Sequence, residues 1–339
     1  MAKVNLLTIH YGKCYGAVMQ TFATCRMLED AGHSVCVINL IDGSQRNKWK
    51  TFDYWKDSVR EFQFWLFKRR YFPKLTNKAY SIQKIKLPDA DVTIVGSDQV
   101  WNRDITGSFG NTFYLDFVEG SRKIALSSSF GKEHWEESPE FTNKVRQLLS
   151  QFNAISVREA SGVDIIKEVM GLGAINLLDP TLGYGKFENL LLNHKQQHQV
   201  FPFLLLDDEE AMGKANYIAK YLNLPLFKHT TISSHFFNGP RHWLTRIKNS
   251  DYVITDSFHG LALSIIFRKQ FFVFCASEKK FTRLRSLLKL LSLEDRYVES
   301  IEDFDNRKIS LLKPIDYLHV GEILNNEQEH YRAFIQDVR

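Results

Sequence analysis

The sequence predicts an α/β protein: two doubly wound, Rossmann-like domains facing a cleft, with a C-terminal helix returning to the first domain. Three observations predict it. Short apolar runs of strand length alternate with stretches of helical spacing along most of the chain. The alternation restarts after a polar stretch near residues 183–199. The length of 339 residues exceeds what one core usually covers, and two domains of roughly 150 residues each are the ordinary outcome. With 44% hydrophobic and 24% charged residues the composition is globular rather than disordered.

The elements follow in order. Val4–Ile9 is a short apolar strand, His10–Gly16 a loop, and Ala17–Ala31 a helix with Val18, Phe22, Cys25 and Leu28 on one face. Gly32 stops it and Ser34–Leu40 is the next strand, which makes a βαβ unit with a buried parallel sheet. Thr51–Pro73 is helical, with Trp55, Val59, Phe62 and Leu66 in register and Lys68, Arg69 and Arg70 at its end. This helix either touches a membrane surface or lipid-linked substrate, or packs on the sheet with a solvated basic end. Strands Ala90–Val95, Arg122–Phe130, Ala154–Val157 and Ala174–Leu178 follow, with a helix over Val163–Met170. Beyond the linker come strand Phe201–Leu206, helix Glu209–Tyr221, strand Leu224–Lys228, helix Pro240–Lys248, strand Asp251–Thr255, helix Leu261–Phe267 and strand Phe271–Cys275. Pro314–Arg339 closes the chain as a helix. The domain expectation is therefore 1–185, 200–313, and a helix over 314–339 packed on the first domain.

Polar residues directly after the strands are the candidates for chemistry, because open α/β sheets bind ligands at the carboxyl edge. Asp256-Ser257-Phe258-His259-Gly260 joins a strand to a helix. A helix start there can hold an anion, and an imidazole can give or take a proton near neutrality. A lone histidine more often only packs such a turn, but Asp256, Ser257 and Gly260 around His259 favour function. Arg158 follows the strand Ala154–Val157 and pairs either with a substrate carboxylate or phosphate, or with Glu159 or another carboxylate. Ser97, Asp98 and Gln99 follow Gly96. Asp98 either binds or deprotonates a hydroxyl, or serves as a turn or helix cap. Gly16 opens a helix near the same edge, in a loop that lacks the G-x-G-x-x-G spacing of dinucleotide sites. Asp179 before Pro180 shapes a turn. Lys279, Lys280, Arg283 and Arg285 either contact an anion or form a solvated face.

Taken together these segments resemble the polysaccharide pyruvyl transferase family. The resemblance is carried by Tyr15-Gly16-Ala17-Val18-Met19-Gln20, Val95-Gly96-Ser97-Asp98-Gln99-Val100-Trp101-Asn102, Ile155-Ser156-Val157-Arg158-Glu159, Leu178-Asp179-Pro180-Thr181, Ile254–Gly260 and Arg283–Arg296, in that order. It implies a GT-B-like fold and transfer of the pyruvyl group of phosphoenolpyruvate onto a sugar of a polysaccharide or glycan precursor, forming a ketal. It also implies that Arg158 and His259 serve donor binding and catalysis. The site expected on this basis has His259 and Asp98 as catalytic groups. Arg158, Ser257, Gly260, Gly16, Ser97, Gln99, Arg283 and Lys280 bind substrates, with no metal and no cofactor beyond the donor. Many members carry arginine two residues before the histidine, where this chain has Ser257, so Arg283, Lys280 or Arg241 is left to supply a donor cation. Cys14 stands where relatives often have asparagine.

Charge and composition bound the partners. A net charge of +5 is not the concentrated basic footprint of a nucleic-acid binder. It suits an anionic substrate or an acidic membrane surface. The expected acceptor is a sugar or a lipid-linked oligosaccharide. No apolar run approaches the roughly 18 residues of a membrane span, and the start lacks a signal peptide's apolar stretch. The four cysteines form no C-x-x-C pair. A cytoplasmic location follows, either free or in peripheral contact with the inner face of the membrane. Two rival readings share the fold: a GT-B glycosyltransferase using a nucleotide sugar, and a non-catalytic glycan-binding relative. Donor identity separates the first, absence of turnover the second.

Overall fold

The computed structural model describes residues 1–42, 52–205, 209–228, 237–274 and 278–338, without the side chains of 52–57 and 278–281. Thr51, Leu206 and Cys275, which the sequence places at element ends, lie outside the described residues. Two compact units result. One comprises Met1–Trp55, Trp65–Tyr184 and Glu327–Arg339, the other Lys56–Phe64 and Gly185–Asn326.

The first unit is a parallel sheet clothed by helices. Its elements are β1 (Lys3–Leu7), α1 (Tyr15–Asp30), β2 (Ser34–Val37), the two ends of α2 (Phe52–Tyr71), whose middle stretch Lys56–Phe64 belongs to the second unit, β3 (Lys74–Leu75), β4 (Val92–Val95), α3 (Arg103–Thr106), β5 (Arg122–Ser128), α4 (Pro139–Leu149), β6 (Ala154–Val157), α5 (Ala160–Asp164), β7 (Ile175–Asn176) and α6 (Pro180–Tyr184). The strand order is β3-β2-β1-β4-β5-β6-β7, and every pairing is parallel. Central strands read as continuous apolar runs because both faces are covered: Leu6, Leu7, Ile94, Val95 and Ala125 are all buried. The order reverses between β1 and β4, so the chain leaves those two strands in opposite directions and opens a crevice at their carboxyl ends.

Two sequence features set local geometry near that edge. The pairing of β5 with β6 shifts register between Ala125 and Ser128, and Ser127 adopts φ +53°. That bulge re-aims the end of β5. The expected helix over Val163–Met170 is instead α5 followed by a π turn over Ile165–Val169. The sequence patterning did not show β3 or α4, the latter capped by Ser138, whose hydroxyl accepts the Phe141 amide, and led by Pro139.

The second unit contains β8 (Val200–Phe203), α7 (Glu209–Tyr221), α8 (Pro240–Asn249), β9 (Tyr252–Thr255), α9 (Phe258–Ile266), β10 (Gln270–Val273), α10 (Glu278–Leu290), α11 (Ile301–Leu311) and α12 (Tyr317–Gln336). Its strands run parallel in the order β10-β9-β8. Single parallel bridges, Val200 with Leu226 and Val273 with Tyr297, extend both edges. The strand expected over Leu224–Lys228 therefore shrinks to one bridge, because Pro225 has no amide to continue a ladder. The polar stretch read as a linker is fastened down. Arg241 donates to the carbonyls of Leu190 and Leu191, and Asn249 donates to those of His194 and Lys195. Helix α12 is divided, its residues from Glu327 onward belonging to the first unit.

Candidate active site

In the first unit the residues picked from the sequence converge on the carboxyl edge of the sheet. Ser97 is buried just beyond β4 and accepts the Thr8 hydroxyl proton at its carbonyl (2.7 Å), while its own hydroxyl donates to Asp179 Oδ2 (3.0 Å). Asp98 follows with φ +79°, a conformation that aspartate tolerates better than most residues. Its Oδ1 accepts the Gln99 amide (2.8 Å) and lies 3.6 Å from Arg158 Nη2. The Asp98 side chain keeps 13% of its surface exposed, so one carboxylate at this edge still meets solvent. Gln99 lies over Gly131 and accepts from Asn102 (2.9 Å).

Arg158 is where the two sequence alternatives meet the geometry. Its side chain is wholly buried and faces three carboxylates: Asp179 at 2.8 Å, Asp98 at 3.6 Å and Glu159 at 3.8 Å. Its guanidinium is held even more firmly protonated than usual, although burial opposes this, because those carboxylates outweigh desolvation. Glu159 in turn accepts the amides of Phe130 (2.8 Å) and Gly131 (3.2 Å). Asp179 also accepts the Thr181 amide (2.9 Å), capping α6. Asp179, expected from the sequence only to shape a turn, caps α6 and also supplies the nearest partner of Arg158. The available signal was a carboxylate directly after a strand, the same signal that marked Asp98.

Three further polar residues at this edge were not among the selected candidates. His10, beyond β1, is fully buried with Nδ1 2.9 Å from the Thr8 carbonyl and Nε2 3.2 Å from Asn39 Oδ1. Burial pushes its pKa down and Lys68 adds to the effect. Gln20, on α1, reaches back with Nε2 to Thr8 Oγ1 (3.0 Å) and the Ile9 carbonyl (2.9 Å), tying helix to strand end. Gly16 lies in the first turn of α1, buried, with Cys14 at the N-cap position. Tyr11 completes the group, its hydroxyl pushed up by burial and then by Asp42 and Asp98.

In the second unit the selected residues cluster at the end of β9. Ser257 is the N-cap of α9, its hydroxyl accepting the Gly260 amide (3.3 Å). The helix therefore starts at Phe258, three residues earlier than apolar spacing suggests, and His259 sits inside its first turn. His259 is 8% exposed, with Nε2 buried, and its ring meets Phe258 edge-on at 5.4 Å. Asp256 accepts the Leu205 amide (2.6 Å), joining the ends of β8 and β9. Gly260 faces the sheet: a Cβ there would run into Thr255 Oγ1 and come within 3.0 Å of Phe203 Cδ1. Its role is close helix-to-strand packing. Arg283 is half-buried on α10, which packs against α9. Lys280 falls on the same helix, but its side chain, like that of Lys279, lies outside the described residues. Arg241 is committed to the Leu190 and Leu191 carbonyls.

The two-sheet architecture is of the GT-B-like class shared by many sugar-handling enzymes. Arabidopsis thaliana UGT89C1 complexed with UDP is similar with a TM-score of 0.52 at 9% identity, covering 99% of both chains. A Listeria monocytogenes protein described as a UDP-N-acetylglucosamine 2-epimerase is similar with a TM-score of 0.51 at 11% identity, covering 98% of this chain and 97% of that one. Among the curated proteins no sequence matches. Residues 15–274 match the polysaccharide pyruvyl transferase family, and the chain belongs to it. It is a transferase of pyruvyl-transferase type, with a small-molecule donor and a glycan acceptor. Among the described residues no helix is long and apolar enough to cross a membrane.

Proposed function

We propose that the chain transfers the pyruvyl group of phosphoenolpyruvate to two hydroxyls of a sugar, forming a cyclic ketal and releasing phosphate. The observation that carries this reading is His259 in the first turn of α9, at the carboxyl end of β9, within the matched family region. The second unit is assigned the donor. A nine-residue helix presents its N-terminal end there, with Ser257 and Gly260 at its start; Arg283 and Lys280, on the neighbouring helix, are assigned to the same anion. Protonated His259 delivers its proton to the methylene carbon of the donor, leaving an electrophilic carbon. One sugar hydroxyl adds there and a second closes the ring as phosphate departs. One hydroxyl proton restores His259 and the other leaves with phosphate.

The first unit is assigned the acceptor, with Asp98 relaying to phosphate the hydroxyl proton that leaves with it, and Gly16, Ser97 and Gln99 lining that edge. Arg158 was expected at the donor. One guanidinium facing three carboxylates is an acid-rich setting for a donor that itself carries a carboxylate and a phosphate. We therefore assign Arg158 to holding Asp98 in place. The test is incubation with phosphoenolpyruvate and a panel of glycan acceptors, read by phosphate release and by the mass of an added pyruvyl ketal. His259→Ala should lower turnover on the order of 10²–10⁴-fold. Near-native turnover in that variant removes the assignment; turnover with a nucleotide sugar and none with phosphoenolpyruvate removes the reaction.

A further inference from the structure

Helix α2 carries apolar residues almost all round its second half, and the fold buries only one side of it. Phe64 and Phe67 are buried at 1% and 3% exposure. The Phe67 ring packs on Phe22 of α1 at 6.1 Å and on Tyr71 at 4.8 Å. The opposite side leaves Phe62 57%, Trp65 48% and Leu66 47% exposed. At positions i, i+3 and i+4 these three form one contiguous patch rather than scattered surface hydrophobes. The same stripe continues, at i+7 and i+8, into Arg69 and Arg70, both exposed. The Arg69 guanidinium lies over the Trp65 ring, 5.2 Å from its centroid, so charge and aromatic face point the same way.

We propose that this stripe docks α2 on an anionic bilayer surface, the apolar side chains entering the headgroup boundary and Arg69 and Arg70 meeting lipid phosphates. Tryptophan, phenylalanine and leucine beside arginine are the side chains that such interfacial helices use. Charge selects this occupant. Among the described residues the exposed stripe holds one acid, Glu61, against Arg69 and Arg70, with half-buried Lys68 beside them. Face-to-face pairing of two copies would bring like charge together, whereas an acidic lipid surface complements it. The inference does not depend on the donor or on the reaction assigned above.

Flotation of the full chain with phosphatidylcholine vesicles, with and without phosphatidylglycerol, tests it. Binding is expected only to the anionic vesicles and should weaken as salt is raised. Arg69→Gln and Arg70→Gln should each weaken it about fivefold, and Trp65→Ser with Leu66→Ser should abolish it. The substituted side chains lie on the exposed side of α2, so an unchanged far-UV spectrum and melting temperature should accompany the loss. Equal flotation with neutral and anionic lipid overturns the proposal, as does undiminished binding by the variants. A wild-type dimer in sedimentation that Trp65→Ser breaks, with no vesicle binding by either, reassigns the stripe to self-association.

Discussion

A guanidinium taken wholly out of water is tolerable only where carboxylates and hydrogen bonds replace its hydration. Arg158 has that replacement in Asp179, Asp98 and Glu159, and the same pairing fixes the Asp98 carboxylate on a backbone with positive φ. Histidines pose the opposite problem: His10 is buried and His242 half-buried, and loss of water disfavours the charged ring in both. Burial, followed by Arg246, His194 and Arg241, pushes the His242 imidazole down to about 4, and burial lowers that of His10. In the unfolded chain both take up a proton near 6.5. Between that value and their folded pKa the unfolded state binds more protons, so stability falls as pH drops through this window. The melting temperature should decline from pH 7 to pH 5, and His242→Gln should flatten the decline. A melting temperature that stays level or rises over this range contradicts the assignment of both rings as neutral in the fold.

At the scale of elements, α9 shows how the absence of a Cβ positions a catalytic candidate. Gly260 lets the helix lie against Thr255 and Phe203, and the Ser257 hydroxyl starts it one turn earlier than apolar spacing suggests. Gly260→Ala should force the helix off β9, at about 1–3 kcal/mol in denaturant unfolding, and lower turnover with it because His259 rides on the same turn. Unchanged stability would mean that α9 has room to move. The position of His259 after β9 was legible in the sequence, because a buried strand followed by Asp-Ser-x-His-Gly leaves few other geometries. The packed face of α2 was not. Helical spacing selects Trp55, Val59, Phe62 and Leu66, but with Phe64, Trp65 and Phe67 also present the pattern names no single face. Phe64 and Phe67 are the buried side chains instead, and tertiary contact with Phe22 of α1 holds Phe67. Of the partners of Arg158, Glu159 was foreseen because it is the next residue in sequence; Asp98 and Asp179 were hidden, since they meet it only because β4, β5, β6 and β7 are neighbours in the sheet, and strand order is not written in local spacing.

At the scale of the whole molecule, the first unit is discontinuous. Its last piece, from Glu327, is the end of α12, and that piece is core rather than ornament: Tyr331 and Val338 are fully buried and Ile335 is 3% exposed. The Tyr331 ring lies against Gly183, where a Cβ would come within 3.0 Å of Cδ2, and Gln328 donates to the Leu182 carbonyl at 2.7 Å. Both partners belong to α6, which the Asp179 cap holds in place, so the end of the chain braces the element that also carries the nearest partner of Arg158. Tyr331→Ala should therefore destabilise the first unit by about 3–5 kcal/mol, the range for emptying a buried aromatic site. The loss should appear as an earlier transition in hydrogen exchange of β1, β4 and β6, with the amides of β9 unchanged. A chain truncated after Asn326 should show the same loss more strongly. If truncation leaves the exchange of β1 and β4 as protected as in the full chain, residues 1–184 form a complete core and the last helical turns are dispensable to it.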